Sequence, residues 1–124
     1  MGNLESRKEA WSHYQHKKLT VKEIKNHKKL VDWNIISTQQ KLNDDIIRTF
    51  HEKLNWNSVC KYQTLSENIM REFNTKLNWN SVCKYQTLSE NIMRDFNTKL
   101  NWNLVKRHQK ISEKFRRDFA IYLA

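Results

Sequence analysis

The apolar positions of this chain recur every 23 residues, an interval that neither a continuous amphipathic helix nor a strand would give. One column is Trp33, Trp56, Trp79 and Trp102. Others are Ile36, Val59, Val82 and Val105; Leu42, Leu65, Leu88 and Ile111; Ile46, Ile69, Ile92 and Phe115; and Phe50, Phe73, Phe96 and Phe119. A polar column runs among them: Gln40, Gln63, Gln86 and Gln109. Residues 54–76 and 77–99 are identical at 22 of 23 positions and differ only at Glu72 against Asp95. Residues 31–53 and 100–122 keep the same register with weaker identity. Residues 1–30 read as a degenerate N-terminal repeat, with Tyr14-Gln15 resembling Tyr62-Gln63 across a two-residue insertion.

A single straight helix is disfavoured. At ~100° per residue, 23 residues leave a remainder of about 140°, so the apolar stripe would swing round from repeat to repeat. No heptad fits either. The stripe stays on one side only if the chain turns within each repeat, and cap residues mark where. Asp32, Asn55, Asn78 and Asn101 precede the Trp column, and Asn43, Ser66, Ser89 and Ser112 follow the Leu column. Both sets suit an N-cap, whose side-chain oxygen accepts from an orphan N–H. Glu67, Glu90 and Glu113 then stand where the helix dipole favours an acid. Each repeat therefore predicts helix A, from the Trp to about the Gln, and helix B, from the Glu to about the Lys. Such short helices are marginal alone and need stacked neighbours. The expected fold is all-α, a short α-solenoid of stacked two-helix repeats, with 31–124 forming four hairpins (31–53, 54–76, 77–99, 100–122) and a C-terminal cap. Trp33, Trp56, Trp79, Trp102, Phe50, Phe73, Phe96 and Phe119 are the expected repeat core.

Composition narrows the alternatives. The 124 residues contain one Gly and no Pro, where ordinary usage gives about nine and six. Tight-turned β folds and glycine-rich phosphate loops are thereby excluded. No stretch approaches the ~20 apolar residues of a membrane span, and the charged N-terminus does not resemble a secretory signal. Cys60 and Cys83 form no disulfide framework, which points to an intracellular, reducing setting. The net charge of +10 is uneven: +5 in residues 1–30, +1 in 31–99 and +4 in 100–124. A groove gripping nucleic acid along its length would repeat its charge in every repeat. Here the excess is at the ends, with Lys17, Lys18, Lys25, Lys28 and Lys29 at one and Lys106, Arg107, Lys110, Arg116 and Arg117 at the other. These are candidate contacts for phosphate or lipid headgroups, or solubilising charge on exposed end repeats. Arg116 stands where Met70 and Met93 stand earlier, as an end repeat facing water requires.

Candidate chemistry is sparse. The Gln column is either a recognition ladder or, the favoured reading, a hydrogen-bonding spine between stacked helices. The Trp column tracks the Val and Leu columns and so reads as core. Cys60 and Cys83 read as small, semi-buried side chains copied by duplication. His13 and His16 have a metal-ligand spacing without further ligands. Tyr62 and Tyr85, beside Lys61 and Lys84, suit base stacking in two repeats only. No catalytic set, metal site or cofactor site stands out. Met1-Gly2-Asn3-Leu4-Glu5-Ser6 fits the N-myristoylation pattern, with Arg7 and Lys8 following. Gly2 would carry the acyl chain, which anchors weakly unless a basic patch assists.

The pattern Asn55-Trp56, Val59, Gln63, Leu65-Ser66-Glu67, Ile69, Arg71 and Phe73 resembles the short Trp-containing helical repeats of uncharacterised proteins from giant DNA viruses of amoebae. Cys60 and Met70 depart from the Ser and Ile expected there. The resemblance implies a repeat fold and a viral origin, and it carries no catalytic residues. The expectation is a non-enzymatic binding or scaffold protein, a small viral interaction or virion-associated protein located in host cytoplasm or virion. Its basic ends would meet an acidic protein partner or, with acylated Gly2, an anionic membrane. Oligomers could form by end-to-end stacking. The alternative is a nucleic-acid-binding protein in genome packaging or a ribonucleoprotein.

Overall fold

A computed structural model describes residues 18–27 and 31–124. Among these residues there are ten helices and no strand: α1 (Val21–Asn26), α2 (Trp33–Gln39), α3 (Asp44–Phe50), α4 (Trp56–Tyr62), α5 (Glu67–Glu72), α6 (Trp79–Tyr85), α7 (Glu90–Asp95), α8 (Trp102–His108), α9 (Glu113–Asp118) and α10 (Ala120–Leu123). The chain divides into two compact units, Met1–Thr64 and Leu65–Ala124. The division falls inside the 54–76 repeat, between its two helices. Gly2, Lys17, Lys28, Lys29, His13, His16 and most of the N-terminal repeat lie outside the described residues.

The caps act as their residue types require. Asn55 Oδ1 accepts from Ser58 N at 3.2 Å, and Ser66 Oγ accepts from Ile69 N at 3.1 Å. Asn78 and Ser89 repeat this on Ser81 and Ile92. Helix A starts at the Trp and stops just before the Gln, which leaves the helix in extended conformation, with φ/ψ of −96°/155° at Gln63 and −96°/151° at Gln86. Helix B is shorter than the sequence predicts. It ends at Glu72, Asp95 or Asp118, with the Phe as C-cap, and the next residues form a turn. In that turn Asn74 and Asn97 donate their amides to the Arg71 and Arg94 carbonyls, each at 2.8 Å. No described residue has positive φ, so the turns need no glycine.

In each unit, successive Trp helices pack on one another: α2 on α4 in the first, α6 on α8 in the second. This is the stacking of a helical solenoid. The core of the first unit is made by Ile36, Ile46 and Val59 and that of the second by Ile69, Val82, Ile92, Val105 and Phe115, all at most 1 % exposed. A further buried column was missed in the sequence: Val31, Leu54, Leu77, Leu100 and Leu123. It lies at the same period, one residue before the cap.

The Gln column joins layers. In the first unit, Gln63 Oε1 accepts from Leu42 N at 3.1 Å, while its Nε2 donates to the carbonyls of Ser37 (2.9 Å) and Gln40 (2.7 Å). In the second, Gln109 Oε1 accepts from Leu88 N at 2.8 Å, and Nε2 donates to Cys83 O (2.8 Å) and Gln86 O (2.7 Å). Leu19 N donates to Gln40 at 3.2 Å and Leu65 N to Gln86 at 2.9 Å. Gln63 and Gln109 thus each satisfy three backbone groups that the short A–B loop leaves without partners. This is the spine reading of the column. It also gives Leu19 the role of Leu42, with Thr20 capping α1 as Asn43 caps α3.

The Trp and Phe columns sit differently from a buried core. All four Trp are half-buried, as are Phe73, Phe96 and Phe119, and of the eight only Phe50 is buried. Three of the indoles clamp the chain around them. Trp56 Nε1 donates to His51 O at 2.8 Å, Trp79 to Asn74 O at 2.9 Å and Trp102 to Asn97 O at 3.2 Å. The ring faces the Phe of its own repeat at 5.3 Å in Trp33–Phe50, Trp79–Phe96 and Trp102–Phe119. An indole needs one polar partner, which explains why its edge stays near the turn.

Candidate functional site

The residue types that first suggest chemistry turn out to be engaged between repeats. Cys60 and Cys83 are buried rather than semi-buried, and neither forms a disulfide. Burial pushes the Cys83 thiol above its ordinary pKa, opposed by the Asn101 N–H that it accepts. Ser37 fills the same column and shows what the position does. Its Oγ donates to Trp33 O at 2.7 Å and accepts Asn55 N at 2.9 Å. The position serves to receive the next cap's N–H, and Ser or Cys meets that need.

The column changes character in the last repeat. Position 106 is Lys, exposed, where Ser37, Cys60 and Cys83 are buried. Position 116 is Arg, exposed, where Ile47, Met70 and Met93 are buried. Arg107, His108, Lys110 and Arg117 are exposed in the same repeat. Lys106, Arg107 and His108 occupy the last turn of α8, and Arg116 and Arg117 that of α9, where cations complement the helix dipole. Lys106 Nζ donates to Ala124 O at 3.1 Å. The five sequence-predicted cations of this region therefore share one repeat of the second unit. Lys18 and Lys25, both exposed, belong to the first unit.

An ion-pair ladder runs along the second unit and was not read from the sequence. Arg71 Nη1 lies 2.6 Å from Asp95, and Arg94 Nη1 lies 2.8 Å from Asp118. Each guanidinium also sits over the Phe that follows its acid, at 5.9 Å for Phe96 and 5.6 Å for Phe119. The signal was the Arg column at positions 48, 71, 94 and 117 with an acid 24 residues on. Hydrogen bonds from Lys114 and from Arg94 hold the Asp118 carboxyl below its ordinary pKa. Glu90 is lowered by Ser112, whose N–H and hydroxyl donate to it at 2.8 and 2.9 Å. In this ladder Arg117 is the exposed cation that makes no ion pair with any described residue.

Tyr62 and Tyr85 are 55 % and 44 % exposed, each with the preceding Lys Nζ near its ring, at 5.1 and 5.2 Å. Thr38, Gln39, Lys41, Tyr62 and Thr64 line a shallow cleft in the first unit. Among the described residues, no three His, Cys, Asp or Glu side chains gather as a metal site would require. No helix of the described residues is long and apolar enough to cross a membrane. Comparison with protein-family models, curated proteins and solved structures finds no match.

Proposed function

We propose that this chain is a helical-repeat binding module whose last repeat engages an acidic protein surface. One observation carries the reading: two interior columns that are buried Ser, Cys, Ile or Met in earlier repeats become exposed Lys106 and Arg116 in residues 100–122. Added to Arg107, Lys110 and Arg117, this makes a cationic face on a framework of interlocked repeats. A cationic face raises the association rate with acidic partners and loses that advantage in salt. The resemblance of the Trp repeat extends the reading to a small viral interaction or virion-associated protein. Gly2, if acylated, adds an anionic membrane to the partners, and an intact mass showing unmodified Gly2 or retained Met1 removes that addition.

A second reading, nucleic-acid binding, is favoured by the exposed Tyr62 and Tyr85 with their adjoining lysines, since bases stack on exposed rings beside cations. Titration of the full chain with a poly-glutamate peptide and with a single-stranded oligonucleotide, each at 50 and 200 mM salt, separates the two. The first reading expects peptide binding that weakens at least tenfold in K106E/K110E/R116E and is indifferent to Y62A/Y85A. Oligonucleotide binding that is tighter than peptide binding, is lost in Y62A/Y85A and falls steeply with salt gives the second.

A further inference from the structure

Charge is segregated by helix within each repeat. Residues 33–43, 55–66, 78–89 and 101–112, which hold each A helix and the loop after it, contain no Asp or Glu and carry Lys41, Lys61, Lys84, Lys106, Arg107 and Lys110. From residue 33 onward every acid stands in helix B or in the turn after it. The A helices also end on a shared pair, a cation followed by a planar ring: Lys61-Tyr62, Lys84-Tyr85 and Arg107-His108. All six side chains are exposed. The last repeat has diverged around this pair, with Lys110 for Thr64 and Thr87 and Lys114 for Asn68 and Asn91. Its pair changes Lys to Arg and Tyr to His and so keeps both chemistries. Lys61 and Lys84 Nζ lie 5.1 and 5.2 Å from the centre of the adjoining ring. A base stacked on that ring has a cation beside it for its phosphate.

In the first unit the ring borders a cleft between the ends of α2 and α4. Gln39, Lys41, Tyr62 and Thr64 line it, all exposed, beside Gln40 and Gln63 of the spine. The lining supplies what an unpaired nucleotide requires: a ring for the face of the base, a carboxamide for its edge and a cation for its phosphate. In the second unit the equivalent positions are Lys84, Tyr85, Thr87, His108 and Lys110, all exposed, at the ends of α6 and α8. These two helices pack on one another as α2 and α4 do. Tyr85 takes the place of Gln39 and His108 that of Tyr62, so this position has two rings. A duplex keeps the faces of its bases covered by stacking, and only an unpaired base can be laid on such a ring. An acidic peptide would satisfy the cations and leave the rings without a use.

We infer that each unit takes one unpaired base of a single-stranded nucleic acid between the ends of its successive A helices, on Tyr62 in the first unit and on Tyr85 and His108 in the second. In the first, Gln39 meets the edge of the base, and Lys41 and Lys61 meet the phosphates. In the second, Lys84, Arg107 and Lys110 meet the phosphates. The inference rests on the nucleic-acid reading of the proposed function and deepens it by placing the bases. It needs neither Lys106 nor Arg116, which carry the acidic-protein reading.

The test uses the 124-residue chain and a fluorescent 12-nucleotide single strand of mixed sequence, made as RNA and as DNA, read by anisotropy at 50 mM salt. A strand of the same length built of abasic sites keeps the phosphates and removes the bases. It is expected to bind about tenfold or more weakly than the natural strand, and so is a duplex of that length. Y62L/Y85L should weaken the natural strand by a similar factor, whereas Y62F/Y85F, which keeps both rings, should stay within about twofold. The abasic comparison uses the unaltered chain and so does not depend on how the variants fold. Either RNA or DNA meeting these expectations supports the inference, and the tighter of the two is the ligand. Abasic strand or duplex binding as tightly as the natural strand overturns the base sites and leaves nucleic-acid binding standing on charge alone. Y62L/Y85L binding as well as the unaltered chain does the same. No binding of any strand at 0.1 mM chain overturns the nucleic-acid reading and the inference together. Poly-glutamate binding that is lost in Y62L/Y85L overturns the inference by giving the rings to an acidic peptide.

Discussion

Replacing Gln63 by Leu isolates the spine, because Leu keeps the size and the apolar contacts and removes only the amide. Three backbone groups then lose their partner: Leu42 N–H, Ser37 C=O and Gln40 C=O. Ser37 and Gln40 are buried, and Leu42 is 7 % exposed, so water does not readily replace the amide. A buried backbone group left without a partner costs about 1–3 kcal/mol. Three of them, less about 1 kcal/mol returned by the buried Leu methyls, give a net loss of ~2–8 kcal/mol. Gln109→Leu removes the same number of bonds at a half-buried site. Water can reach these groups, and the loss should be nearer ~1–2 kcal/mol. Urea unfolding followed by Trp fluorescence measures both. A third variant, Gln63→Glu, sets a carboxylate against two carbonyls. Its folded state favours the neutral acid, which raises the carboxyl pKa. The variant should therefore gain stability as pH falls from 7 through the raised value, and lose it as pH rises. A Gln63→Leu cost below about 1 kcal/mol, or one no larger than that of Gln109→Leu, would refute the spine.

Three further outcomes follow from the geometry. Cys83→Ser should be tolerated within about 1 kcal/mol, because Ser37 already fills the same role. Cys83→Val should cost about 1–3 kcal/mol by orphaning the Asn101 N–H, with urea midpoints as the measure. Trp79→Phe keeps the ring against Phe96 and removes the bond to Asn74 O. It should cost about 1 kcal/mol, against ~3–5 for Trp79→Ala, read from thermal melts. Glu90 and Asp118 have lowered pKa values, so the stability they lend is present above the ordinary carboxylate range, near pH 4, and is lost as pH falls through their lower folded values. Hydrogen exchange should show residues 100–122 loosening on acidification over that range, and E90Q/D118N should flatten the response.

The repeat, its two helices and their first residues were legible because each has a local cause. A 23-residue period excludes one helix, and Asn or Ser before a hydrophobic step marks a helix start wherever it stands. Helix B was read too long because its C-terminus is set by tertiary contact. The Phe that looks like a helical residue is drawn out as a C-cap against its own Trp, and the Asn after it ties the turn to the Arg carbonyl. The half-burial of the Trp was also hidden. A column conserved in spacing with Val and Leu suggests equal depth, but an indole N–H requires an acceptor, and the nearest is a turn carbonyl at the rim. The Val31–Leu54–Leu77–Leu100 column was visible in the letters and overlooked, since it lies beside a cap where polar residues are expected.

The departures from the repeat in residues 100–122 say more about function than the repeat does. Identical sequence gave identical geometry: the caps Asn55 and Asn78 share φ/ψ to within 2°, as do Ser66 and Ser89. Divergence from that pattern is therefore informative wherever packing would have punished it. Lys106 and Arg116 replace buried side chains, changes that would cost several kcal/mol inside a layer, because an unpaired buried charge is expensive. They are tolerated because both are exposed, with Lys106 reaching Ala124 O. Yet Gln109 is retained at its position, and so are Arg117 and Phe119 in theirs. Gln109 and Phe119 are used inward, on α6 and on Trp102. Arg117 is not. Its exposed guanidinium, with Lys106 and Arg116 in the same repeat, belongs to the cationic face that carries the proposed binding.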